Sequence, residues 1–167
     1  MSKKSGPVKL VGLLSIIFGA VAIIGGITTW ATVSTQLAAE NITVPADSPL
    51  VPGARVQDPI SAYAQAEIIN THALASSGGR TFAQLGTEIS AARTAGDTAK
   101  VEELTALRTT MMNASFLRAS LFTSVVAYGV ALLVIGLGVM FILLGWALGS
   151  LVKPAEAASE AVEPATT

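Results

Sequence analysis

His72 is the only histidine among the 167 residues, and cysteine is absent. A metal site built from imidazole and carboxylate needs two or three converging ligands. Glu67 lies five residues before His72, about 140° around a helix of 3.6 residues per turn, and is poorly placed to share an ion with it. The residues therefore assign no metal ligand. An exposed or hydrogen-bonded helix histidine is the reading this position supports, with pH sensing as the alternative. Without cysteine there is no thiolate nucleophile, no disulfide and no Cys-held cluster. A serine nucleophile would depend on the same single histidine as its base, and no G-x-S-x-G elbow occurs.

Gly78-Gly79-Arg80-Thr81 precedes a helix pattern and has the makings of an anion cradle. It lacks the G-x-x-x-x-G-K-[ST] loop, and a turn followed by a helix cap accounts for it. Asn41-Ile42-Thr43 and Asn113-Ala114-Ser115 match the N-glycosylation triplet, a pattern short enough to arise by chance. Met111-Met112 fits packing on a helix seam better than a metal or redox pair. No catalytic, cofactor-binding or metal-binding residue is assigned, and no cofactor is expected.

The elements that would have to position any chemistry are unusual. Residues 10–39 carry no Asp, Glu, Lys or Arg, and neither do residues 119–152. Charged residues make up 13% of the chain, against about 25% in a soluble domain. Mean hydropathy is +0.63. A soluble single-core domain and a disordered chain are both excluded by this pattern. The net charge of −1 and the lack of any basic cluster beyond Lys3–Lys4 leave no field to recruit nucleic acid. The expected fold is an all-α membrane protein with two transmembrane helices. The second continues into a long extracytoplasmic helix, with one or two short helices packed beside it.

The first span is read at 10–33, preceded by a cytoplasmic N-terminus at 1–9. The second lies within 119–152, with its hydrophobic centre near 125–146. Each run is long enough for a hydrocarbon core of about 30 Å. Trp30 and Trp146 suit the headgroup level. Lys3, Lys4, Lys9 and Lys153 flank the outer ends of the pair, and only Arg118 stands close to the inner ends. This bias favours a plasma-membrane protein with both termini cytoplasmic and residues 34–118 extracytoplasmic. A cleaved signal peptide is the rival for the first run, although the run exceeds the usual h-region.

Small residues recur along both spans. Ser15, Gly19, Ala22 and Gly26 mark one stripe. Ser124, Ala131, Gly138 and Gly145 mark another, and Gly149 adds a GxxxG with Gly145. Such faces let helices approach closely, either within one chain or between copies. Neither run contains a charge, which argues against an ion or proton pathway.

Between the spans, residues 40–57 contain Pro45, Pro49, Pro52 and Gly53 and read as an extended loop. Asp58 and Pro59 start a helix over 58–76, with Ile60, Ala64, Ile68 and Ala75 on one face. Thr81 and Gln84 form a capping box for a short helix, TFAQLG. From Asp97 or Thr98 a single helix is expected to run to about Leu151. Leu104, Leu107, Met111 and Ala114 form its outer seam, with Leu121 farther along. The tail, 153–167, is stopped by Pro154 and read as disordered.

The stretches QLAAENITVPADSP, ISAYAQAEIINTHAL, GGRTFAQL and MNASFLRASLFTSVVAYGVALLVIGLG resemble a family of small actinobacterial two-helix membrane proteins of unassigned function. The resemblance covers most of the chain. Members often carry the label "aromatic ring-opening dioxygenase, small subunit". Extradiol ring opening needs iron on two histidines and a carboxylate, which one histidine does not supply. The functional expectation is a non-catalytic structural or interaction (accessory) component of the cell envelope. Its expected partners are the lipid bilayer and either a protein partner or a second copy of the chain. A ligand-sensing membrane module is the alternative, and a dioxygenase-related subunit is a third reading.

Overall fold

The computed structural model describes residues 5–160, with side chains described over 6–151. Four helices account for most of these residues: α1 (Ser5–Ala39), α2 (Pro59–Ser76), α3 (Phe82–Thr94) and α4 (Thr98–Glu160). α1 and α4, of 35 and 63 residues, are each long and apolar enough to cross a membrane. In each, only 17% of the most apolar window is buried, whereas a soluble core helix would be mostly buried. The chain divides into two compact units, Met1–Ala31 with Gly129–Thr167, and Thr32–Tyr128.

The first unit is an antiparallel helix hairpin. Its contact layer steps by seven residues on both helices. Gly12 meets Gly145, Gly19 meets Gly138, and Gly26 meets Ala131, all buried. The residue numbers of the three pairs share one sum, the mark of an antiparallel register. A Cβ on Gly19 would lie 2.5 Å from the Gly138 carbonyl oxygen, and one on Gly138 would lie 2.7 Å from that of Gly19. Backbone approach of this kind is how membrane helices gain packing where lipid provides no hydrophobic drive. Phe18 and Phe141 add an edge-to-face contact at 5.1 Å. The other faces carry Phe18, Val21, Ile24, Leu132, Leu133 and Trp146, each at least 60% exposed.

This register differs from the expected stripe. Gly12 joins the contact layer, where a Cβ on it would lie 3.0 Å from Gly145 O and 3.7 Å from Gly149 N; a Cβ on Gly149 itself would point away and meet nothing within 4 Å. A strict seven-residue step keeps one line of contact in a hairpin; the GxxxG step from Gly145 to Gly149 leaves it.

The second unit begins with the end of α1. Arg55 Nη2 donates to Ala38 O at 2.7 Å and to Asn41 Oδ1 at 2.8 Å. A guanidinium there gives a helix-end carbonyl, which also accepts from Asn41 N at 3.2 Å, a second donor and suits the negative end of the dipole. The loop that follows is more ordered than the expected extended chain. Thr43 and Arg55 form an antiparallel bridge. Val44 N donates to Ala54 O and Val56 N to Ile42 O, both at 2.9 Å. Burial of Val44 and Val56, at 1% and 0% exposure, holds this miniature hairpin in place. Its prolines keep it from extending into a strand.

α2 starts as its local chemistry requires. Asp58 Oδ1 accepts from Ile60 N at 2.9 Å and Ser61 N at 3.0 Å, and Ser61 completes a capping box. Its buried residues are Ser61, Ala64 and Ile68 on one side and Ala62, Ala66 and Ala73 on nearly the opposite side. Ile60 and Ala75 of the expected face are exposed. An alanine-rich helix packed on two sides has no single apolar stripe to reveal its buried face. α3 has the expected Thr81–Gln84 box but runs to Thr94, well past TFAQLG. Leu85, Ile89 and Ala92 on α3 join Ala73 on α2 and Leu104 and Met111 on α4 in one buried cluster.

α4 is continuous from Thr98, with Asp97 Oδ1 accepting from Lys100 N at 3.0 Å. The charge-free run from residue 119 belongs to the second unit as far as Tyr128. Leu121 is buried there, and Phe122 meets Tyr63 edge-to-face at 5.9 Å. At its other end the helix continues through Pro154 to Glu160, past the expected stop. The run AEAASE after Pro154 is made mostly of strong helix formers, which favours continuation. The rest of the expected tail, 161–167, and residues 1–4 of the expected N-terminus lie outside the described residues.

Candidate functional site

Within the second unit, three helices and the loop line a half-open cavity of about 580 Å3. Small-molecule sites fall at about 300–1,000 Å3. α1 contributes Thr32, Val33, Gln36 and Leu37, followed by Glu40. α4 contributes Leu117, Ser120, Leu121 and Ser124, and α2 contributes Gln65 and Ile69. Ile42 from the loop completes the wall. Spacings of three and four residues put each set on one helix face. The seven-residue step that places small residues in the hairpin reaches Val33 on α1 and Ser124 on α4, and both line this cavity.

The lining is apolar with a few hydrogen-bonding groups. Gln65 Oε1 is buried and has no hydrogen-bond donor. Ser124 Oγ donates to Ser120 O at 3.3 Å. Glu40 is the single charged residue of the lining, and no Lys, Arg or His joins it. Such a site can bind and orient an apolar molecule through amides and hydroxyls.

Chemistry-bearing groups elsewhere hold structure. His72 Nε2 donates to Asp47 Oδ2 at 2.7 Å, an exposed strap from the loop to α2. This hydrogen bond holds the Asp47 carboxyl below its ordinary range. Gly78 and Gly79 adopt left-handed backbone, and Gly79 N donates to Leu74 O at 2.7 Å. Arg80 donates to Ser77 O at 2.6 Å and pairs with Glu88 at 3.0 Å. The Gly-Gly-Arg-Thr stretch is thus a turn and cap with its groups already engaged. Arg118 faces Glu67 at 3.8 Å, and Arg108 stacks on Phe82 at 3.9 Å. Among the described residues, no three His, Asp or Glu converge as a metal would require.

The residues singled out in the sequence separate into three places. Gly19, Gly26, Ala131, Gly138 and Gly145 lie in the hairpin contact. Ala22 is half-buried in α1, and Ser15 lines a shallow groove with Phe18 and Phe141. Ser124 lines the cavity of the second unit. Leu104 and Met111 are buried in the core cluster, with Leu107 and Ala114 packed against it. The seam therefore faces this chain's own α2 and α3. Sequence reasoning passed over Gln65, whose signal was an amide set among the alanines of α2. It also passed over Tyr128, a lone phenol in a charge-free run, and over Gly12.

The chain matches no protein-family model, no curated protein and no solved structure.

Proposed function

We propose that the chain is a two-pass integral membrane protein with both termini cytoplasmic. Residues 34–118 form a non-catalytic helical module outside the membrane that docks a protein partner or a second copy. The observation that carries this reading is the hairpin. Gly12, Gly19, Gly26, Gly138 and Gly145 are consumed by contact between α1 and α4, while large apolar side chains such as Val21, Ile24 and Leu133 stay more than 60% exposed. Lipid is the environment that such faces fit. The lysines at 3, 4, 9 and 153 support the orientation. Phe116 on α4, 66% exposed and one turn from the exposed Met112, supports a docking role for the module. A ring-opening iron centre would draw on two histidines, and His72 is alone in the sequence.

The absence of cysteine makes the topology test direct. In intact cells a membrane-impermeant maleimide should label Ala95→Cys and leave Lys3→Cys unlabelled until lysis. The reverse pattern, or equal labelling, would overturn the orientation. Gentle extraction of the tagged chain should recover a reproducible partner or a crosslinkable dimer. A monomer with nothing bound would remove the docking role.

A further inference from the structure

We propose that the cavity formed by α1, α2 and α4 in the second unit is a binding site for a neutral amphiphile. Its apolar chain would lie against the aliphatic lining, and its hydroxyl head would bond to Gln36, Gln65 and Ser124. The inference goes beyond a docking role and rests on the cavity alone. Its volume, about 580 Å3, suits a lipid-sized molecule more than a metabolite fragment. The lining is aliphatic at Leu37, Ile69 and Leu121, which selects an apolar body.

The head group follows from the polar residues. Gln65 Oε1 is a buried acceptor without a donor, an arrangement that costs free energy until a donor arrives. The terminal torsion of a glutamine is soft, so its carboxamide can turn toward an occupant. Amides and hydroxyls both donate and accept, and a hydroxyl head does the same. An anionic head would meet Glu40 with no Lys, Arg or His in the lining to offset it, and an unpaired charge in such a place is costly.

The test uses the full chain in phosphatidylcholine nanodiscs with a diazirine-bearing monoacylglycerol. After irradiation, crosslinked peptides are mapped by mass spectrometry. Crosslinks should concentrate on residues 32–42 and 117–124, and unlabelled monoacylglycerol should compete them away. Gln65→Leu should lower capture about three- to tenfold, the range of one neutral hydrogen bond. Val33→Phe should fill the cavity and abolish capture, with helicity retained by circular dichroism. Crosslinks spread evenly over the exposed apolar residues of α1 and α4 would mean bulk lipid and overturn the site. Equal capture of a matched alkyl phosphate would overturn the head-group assignment. Wild-type capture by both folded variants would overturn the proposal. If a variant does not fold, the wild-type map and its competition decide the question. A failed search for a protein partner leaves this result standing, and the converse also holds.

Discussion

The Tyr128 hydroxyl donates to the Gln57 carbonyl oxygen at 3.0 Å, across 71 positions of sequence. Ser34 Oγ lies 2.8 Å from the same hydroxyl and, with the phenol proton committed to Gln57, acts as the donor. The ring is 1% exposed. One phenol thereby joins α4, the end of α1 and the residue before the α2 cap.

Tyr128→Phe should therefore destabilise the second unit by about 1–3 kcal/mol, the penalty for stranding buried hydrogen-bonding groups. Ser34→Ala should cost less, because the bond to Gln57 survives. Thermal unfolding of the reconstituted chain measures both, and a Phe variant as stable as wild type would remove this bond from the account.

Gly19→Ala and Gly138→Ala should each weaken the hairpin by about 1–3 kcal/mol, as overpacking does. The added methyl would lie 2.5 or 2.7 Å from a facing carbonyl oxygen. Gly25→Ala and Gly136→Ala meet nothing within 4 Å. They should be neutral or slightly stabilising, since alanine is the better helix former. Unfolding of the four variants side by side checks the register, and equal effects at all four would contradict it.

Asp58 controls the start of α2. Partial burial raises its pKa, but hydrogen bonds from Ser61 and Ile60 outweigh this, and the net shift is downward from 3.8. The folded pKa lies below the unfolded one, so this contribution is present above pH 3.8 and is lost as pH falls through the lower folded value. Asp47, held low by His72, acts with the same sign. Asp58→Ala should cost about 1 kcal/mol at neutral pH. Asp58→Asn keeps a capping oxygen and should flatten the acid limb of a stability-against-pH curve. An unchanged limb would exclude Asp58 from the acid response.

Leu104 is 1% exposed at the centre of the cluster formed by α2, α3 and α4. Leu104→Ala should cost about 2–5 kcal/mol, while Leu117→Ala, on a residue 56% exposed, should cost far less. Hydrogen exchange on α3 should rise in the first variant alone. No rise on α3 would show that α3 holds its place without this contact.

Much of this fold was legible in the residues because the physics involved is local. Asp58, Ser61, Thr81 and Gln84 settle their hydrogen bonds within three positions, so two helix starts follow from the chain itself. Two charge-free runs and the 3, 4, 3 seam from Leu104 to Ala114 likewise fix which stretches are apolar helices and which face of α4 packs. Other features depended on where distant segments meet. Gly12 entered the hairpin contact because the antiparallel register, shared by three layers, selects a seven-residue line. Ile60 faces outward because α2 is held on two opposite sides, which a single stripe does not encode. Tyr128 met Gln57, 71 positions away, and Gln65 met a cavity walled by α1 and α4, because contacts between distant segments cost chain entropy that only the assembled packing repays. Helix and cap were decided by neighbours along the chain; register, cavity and buried bridge were decided by neighbours in space.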